Sequence, residues 1–148
     1  MTDADFAAYE ETARDDYAEE IAESSAMSWE DAVSKAAEDY ARLLPGGLRT
    51  PGHLLWTAHE GDTAVGMIWV HLHDRLEGTA AFVYDVKVHD DMRRRGHGRA
   101  MMLAAEDEAR SRGAVSIGLN VFGSNAGARA LYEQLGYEIT SIQMRKRL

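Results

Sequence analysis

Apolar residues set the rhythm of the first forty positions. Phe6, Tyr9, Ala13, Tyr17 and Ile21 recur at spacings of three and four, with acidic residues between them, which predicts a helix over 3–23. Thr2 with Asp5 resembles a capping box with Asp in place of Glu. Residues 24–27 break the pattern, and Ser28 with Asp31 offers a second cap. Trp29, Val33, Ala36, Tyr40 and Leu43 form the next stripe, and Pro45-Gly46-Gly47 stops it. These aromatics read as core.

The period then changes to two. Residues 53–60 read as a strand and Gly61-Asp62 as a hairpin turn. In the return strand, 64–72, Met67, Trp69 and His71 share one face and Ile68, Val70 and Leu72 the other. Apolar residues on both faces predict an interior strand covered on each side. After a polar turn over 73–78, a strand over 79–88 places Phe82, Tyr84, Val86 and Val88 on one face. A helix over 98–112 follows, with Met102, Ala105 and Ala109 buried and Gly113 as terminator. A strand over 115–121 and a helix over 125–135 come next, Leu131 and Leu135 packing inward and Gly136 closing the helix. Residues 137–148 are predicted to add one or two closing strands. Strand, helix, strand over 79–121 is a βαβ unit, so those strands should be parallel neighbours, while the short turns elsewhere imply antiparallel pairs. The expected fold is a single α/β domain over 1–148. Its sheet is mixed and mostly antiparallel, with helices on both faces.

Composition narrows the function. The 148 residues are 45% hydrophobic and 28% charged, which suits one globular domain with a real core. The absence of cysteine removes disulfides, thiolate metal sites and a cysteine nucleophile, and no metal is expected. No apolar run reaches membrane-spanning length and no signal-peptide pattern opens the chain, so the expectation is a cytoplasmic protein with no membrane partner. The net charge is −9. Residues 1–40 hold 13 acids against Arg14 and Lys35. That surface is a poor match for nucleic acid and favours a cationic partner.

Between the strand ending at Val88 and the next helix lies Arg93-Arg94-Arg95-Gly96-His97-Gly98-Arg99. Glycines here admit backbone angles closed to other residues and let a ligand approach the main chain. Successive N–H groups before a helix N-terminus form a concave anion site, and four arginines surround it. A pyrophosphate cradle follows, in which a side chain at Gly98 would intrude on the phosphate. The triphosphate-loop pattern and the first glycine of the dinucleotide fingerprint are both missing.

Arg93-x-x-Gly96-x-Gly98 followed by Asn125-x-x-Ala128-x-x-Leu131-Tyr132-x-x-x-Gly136-Tyr137 resembles the GNAT N-acetyltransferase superfamily in motif order and spacing. The match is good over 53–148 and loose over 1–52. The resemblance implies acetyl-CoA as donor and direct transfer to a primary amine on a small molecule, a peptide N-terminus or a lysine. It implies that the backbone of Val86, Lys87 and Val88 pairs with the pantetheine arm. The amides from Arg94 to Arg99 would hold the pyrophosphate, and Asn125 would contact the cofactor near its thiol. Tyr132 would act as general acid on the leaving thiolate. The sheet would splay between strands ending at Val88 and Val121. The chain departs from the family at two places. Asn120 stands where relatives resembling the ribosomal-protein N-terminal acetyltransferases carry a basic Glu, which leaves Asp85 as first candidate for the base and His71 and His73 as weaker ones. The family's usual first strand has almost no room before the Phe6 helix, so the sheet should begin at residue 53 with an open edge that a homodimer could seal. The alternative function is a non-catalytic module that binds or senses acyl-CoA.

Overall fold

In the computed structural model, which describes residues 1–146, a complete capping box opens α1 (Asp3–Ser25). The Asp5 N–H donates to Thr2 Oγ1 at 3.1 Å, and the Thr2 N–H donates to Asp5 Oδ2 at 2.9 Å. Ser28 caps α2 (Trp29–Leu43) by accepting from the Asp31 N–H at 3.1 Å. Both caps satisfy N–H groups that a helix start otherwise leaves orphaned. The buried side of α2 is Ala32, Ala36 and Tyr40, while Trp29 is 55% exposed and Val33 also faces solvent. The expected stripe therefore holds at Ala36 and Tyr40 and fails at Trp29 and Val33, with Ala32 buried in their place. Ala18, Ala32 and Ala36 are fully buried together, because small side chains let α1 and α2 pack closely.

A sheet of four strands follows: β1 (His53–Glu60), β2 (Thr63–Arg75), β3 (Gly78–Val88) and β4 (Ala114–Leu119), in that spatial order. The first two pairings are antiparallel and β3 with β4 is parallel, as the βαβ pattern requires. α3 (His97–Ser111) forms the crossover, and α4 (Ala126–Gln134) follows β4. No strand precedes α1 among the described residues, so the sheet begins at β1 as expected. The hairpin between β2 and β3 is tighter than expected, since β2 continues to Arg75.

β2 is buried on both faces. Ile68 and Val70 join Met101, Met102, Ala105 and Ala109 of α3 on one side. Met67 and Trp69 meet Tyr9 and Ala13 of α1 and Tyr40 of α2 on the other. On β3 the expected alternation fails. Trp69 pairs with Asp85 and Val70 with Val83, so Tyr84 is one extra residue, a β-bulge. Before it, Ala81 and Val83 face α3; after it, Val86 and Val88 do. Phe82, Tyr84, Val86 and Val88 therefore do not share a face: Tyr84 stacks on Trp69 at 4.7 Å, on the α1/α2 side. The bulge also turns Asp85 toward Tyr9.

The closing strands expected over 137–148 are not formed over 137–146, and 147–148 lie outside the described residues. α4 ends in a Schellman motif: the Tyr137 N–H donates to the Tyr132 carbonyl and the Gly136 N–H to that of Glu133, with Gly136 at φ +92°. Beyond it, residues 138–146 are all exposed, and a strand needs a partner for its backbone.

Candidate active site

The basic turn leaves β3 through a single 3₁₀ turn, Asp90–Met92. Arg94 (φ +63°) and Gly96 (φ +88°) both take left-handed backbone angles. α3 starts without a side-chain cap, and its first helical bond runs from the Ala100 N–H to the Gly96 carbonyl at 3.0 Å. The N–H groups of His97, Gly98 and Arg99 precede that bond at the positive end of a fifteen-residue helix. Arg93 pairs with Asp90 at 2.8 Å, and the Arg95 guanidinium donates to the Asp91 carbonyl at 3.0 Å. Those two brace the turn, while Arg94 and Arg99 are exposed at its surface. The His97 ring lies near the end of β1, with Nε2 4.0 Å from Glu60 Oε2. A Cβ at Gly98 would sit 3.5 Å from Leu131 and 3.7 Å from Val88, ordinary contact with the protein's own side chains. A Cβ at Gly96 would meet nothing within 4 Å, so there the demand is on the backbone angle.

Pairing of β3 with β4 stops at Val83 and Leu119. From Tyr84 to Val88, β3 pairs only with β2, so the backbone edge of Val86, Lys87 and Val88 on the β4 side has no strand beside it among the described residues. The splay begins two residues earlier than expected on the β4 side, because β4 ends at Leu119 and not at Val121. A cleft of about 370 Å³ opens there. Asp85, Asn120, Asn125 and Tyr132 line it, with Tyr17, Glu20 and Tyr40 from α1 and α2 on the facing wall.

Within the cleft, Asp85 Oδ2 accepts from the Tyr9 hydroxyl at 3.0 Å, and the Tyr9 and Tyr40 hydroxyls are 3.2 Å apart. Burial raises the Asp85 carboxyl above its ordinary pKa, although the Tyr9 bond and Lys87 pull it down. Tyr132 is 9% exposed, and burial, then the nearby Asp85 charge, raise its phenol. It therefore holds its proton at neutral pH, as a donor must. Glu20 is raised as well, by burial and then by Asp85 and Asp16. Asn125 caps α4, its Oδ1 accepting from the Ala128 N–H at 3.1 Å, which leaves the two amide hydrogens and one lone pair of Oδ1 for a ligand. Lys87 is ion-paired with Asp16. His71 stacks between His53 at 4.0 Å and His73 at 5.4 Å, and neither His71 nor His73 lines the cleft. Tyr40, which the sequence alone assigned to the core, also lines the cleft, and Tyr9, a core residue as expected, reaches Asp85 with its hydroxyl. Their only signal was a hydroxyl inside an apolar stripe. A separate groove of about 500 Å³ between α1 and α2 holds none of the motif residues.

This arrangement has known counterparts. The family model described as Acetyltransferase (GNAT) family matches residues 9–137. This chain belongs to the GNAT acetyltransferase family. A Bacillus subtilis protein named as an uncharacterized N-acetyltransferase, YycN, is 37% identical over 134 residues, covering 89% of this chain and 85% of the relative. The crystal structure of YycN superposes with a TM-score of 0.94 at 34% identity, over 100% of this chain and 95% of that one. The [Ribosomal protein bS18]-alanine N-acetyltransferase of Salmonella typhimurium is 41% identical over 63 residues, 43% of each protein. The GNAT match takes in the basic turn, Asp85, Asn125 and Tyr132 as well as most of α1 and all of α2. GNAT acetyltransferases take their acetyl group from acetyl-CoA. The residues of the turn fit that donor: an uncapped helix start and a left-handed Gly96 present main-chain N–H groups to a pyrophosphate.

Proposed function

We propose that this GNAT enzyme moves the acetyl group of acetyl-CoA directly to a primary amine that is cationic in solution. Residues 1–148 act as one domain, since α1 and α2 supply one wall of the cleft and β3, β4 and α4 the other. The amides from Arg94 to Arg99 hold the pyrophosphate, and the edge of Val86, Lys87 and Val88 that no strand covers among the described residues takes the pantetheine arm as an added strand. The observation that carries the reading is the placement of Asp85 and Tyr132 in one cleft at the point where β3 and β4 part.

An acceptor ammonium must lose a proton before its nitrogen can attack. Asp85, whose basicity burial increases, takes that proton through water. The nitrogen then bonds to the thioester carbonyl carbon, and the carbon–sulfur bond breaks. Tyr132 gives its proton to the departing thiolate, the nitrogen releases its second proton to solvent to leave a neutral amide, and Tyr132 is reprotonated from solvent. Backbone N–H groups on the free edge of β3 stabilise the oxyanion between these steps. Tyr17, Tyr40 and Tyr84 with Asp85 and Glu20 give the acceptor side aromatic faces and negative charge, which suit an ammonium on an apolar stem. A small-molecule amine, a peptide N-terminus and a lysine side chain all have that chemistry.

The test is thiol release from acetyl-CoA with a panel of amines, products read by mass spectrometry, beside direct acetyl-CoA binding. Asp85→Asn and Tyr132→Phe should each lower turnover by ~10²–10⁴-fold with acetyl-CoA affinity nearly unchanged. Losses below about threefold, with chemistry shown to be rate-limiting, would remove both residues from the mechanism. Asn120, in place of a basic Glu, favours the alternative of a non-catalytic acyl-CoA-sensing module. Tight binding without turnover of any amine would support it.

A further inference from the structure

Tyr9 and Asp85 are 76 residues apart in sequence and meet through one hydrogen bond, Tyr9 lying in the core behind the cleft that Asp85 lines. We infer that Tyr9 is the positioning residue for Asp85: its hydroxyl, oriented by Tyr40, aims the carboxylate into the cleft and keeps it charged. The inference rests on the reading of Asp85 as base.

The Tyr9 ring packs with Leu55, Met67 and Trp69, a role that a phenyl ring would fill equally well. The hydroxyl is what phenylalanine would lack. Tyr9 is 7% exposed, and a buried hydroxyl costs stability unless it is bonded. Its single proton goes to Asp85 Oδ2 at 3.0 Å, so at 3.2 Å the Tyr40 hydroxyl must donate to the Tyr9 oxygen. Two phenols in series thus point their hydrogens toward one carboxylate. Both phenols are held neutral, since burial first and the Asp85 charge after it raise them.

The groups facing Asp85 give the sign. Asp16 and Glu20 of α1 disfavour its charge, and so does burial, while Lys87 on β3 favours it. Tyr40 and Tyr132 are neutral. Lys87 and Asp16 are ion-paired and largely offset one another. Two neutral donors then oppose burial, the Tyr9 hydroxyl first and the Val86 backbone N–H after it. Without the Tyr9 hydroxyl, the Asp85 pKa should rise further, and activity should be lost on the acidic side and recover as pH rises.

The experiment follows the ¹³C carboxyl resonance of Asp85 through a pH titration, assigned by its loss in Asp85→Asn. Tyr9→Phe should move the midpoint upward by roughly one unit or more, the size expected for a hydrogen bond to a charged group. Tyr40→Phe should move it the same way by less. With acetyl-CoA and spermidine as probe acceptor, the acidic limb of kcat/KM should move upward with the midpoint. A folded Tyr9→Phe with lower thermal stability but an unmoved midpoint and limb would overturn the inference. If Tyr9→Phe does not fold, Tyr40→Phe decides: an upward midpoint supports the inference, an unchanged one overturns it. The carboxyl titration needs no acceptor, so the two readings fail separately. Full turnover in Asp85→Asn would sink the base, whereas a crippled Asp85→Asn with an unmoved Tyr9→Phe midpoint would sink only the positioning role.

Discussion

At Gly96 the backbone stands at φ +88°, and two residues before it Arg94 stands at φ +63°. The turn therefore already holds one side chain in the left-handed region. A second there adds strain of about 1–2 kcal/mol. Gly98 differs, because a Cβ there meets only Leu131 and Val88 at ordinary contact distance. We expect Gly96→Ala to weaken acetyl-CoA binding and lower stability by about 1–2 kcal/mol, while Gly98→Ala changes either by less than Gly96→Ala does. Calorimetric titration with acetyl-CoA and urea unfolding measure the two effects, and a larger loss at Gly98 would reverse the assignment. The sequence showed that this turn needs glycine, since Arg-x-x-Gly-x-Gly is a spacing that can be read directly. It could not show which glycine serves the backbone angle and which the packing, because that depends on where α4 places Leu131. Tyr132 was named from the family motif and Asp85 as the first of three candidates for the base, and both line the cleft. The Tyr9 hydroxyl bonded to Asp85 was not legible, for a contact across 76 residues leaves no local pattern.

Element boundaries were legible where a local chemical signal fixes them. Thr2, Ser28 and Gly136 each act through bonds within three to five residues, and each sits where its spacing predicts. Element orientation was harder. In α2 the expected stripe held at Ala36 and Tyr40, but in the first turns the large residues Trp29 and Val33 were read as buried where the contact with α1 uses Ala32. Apolar size ranks residues by transfer energy, whereas two closely packed helices select for small ones. The β3 reading failed for a related reason. A period of two assumes no insertion, and the bulge at Tyr84 exchanges the two faces halfway along the strand. The α2 correction has a direct test in urea denaturation midpoints. Ala32→Leu should destabilise by about 1–3 kcal/mol through overpacking, and Trp29→Ala should stay within about 0.5 kcal/mol. A large loss at Trp29 with none at Ala32 would restore the stripe read from the sequence.

At the scale of the whole molecule, the sheet of the described residues has two edge strands, β1 and β4, each paired on one side, and the chain leaves α4 without pairing to either among those residues. An open edge of this kind invites another strand, and proteins ordinarily cover or blunt it. The sequence pointed to the β1 edge as the place where a second copy could add. The exposed apolar side chains lie elsewhere, with Ile139 at 54%, Ile142 at 71% and Met144 at 88% exposure in the segment after Tyr137, and Val115 at 68% on β4. Residues 138–146 have the apolar content of a strand, and β4 has a free backbone edge. Each supplies what the other lacks, and in a two-fold dimer both copies would gain together. We expect the full chain to sediment as a homodimer at high micromolar concentration. Ile142→Asp with Met144→Asp should shift it to monomer without changing the melting of the core, because neither side chain is buried within one chain. A charged substitution on the outer face of β1 should leave the dimer intact. A full-length chain that stays monomeric at every concentration would count against association through either edge. A dimer broken only by the β1 change would move the contact back to the edge named from the sequence.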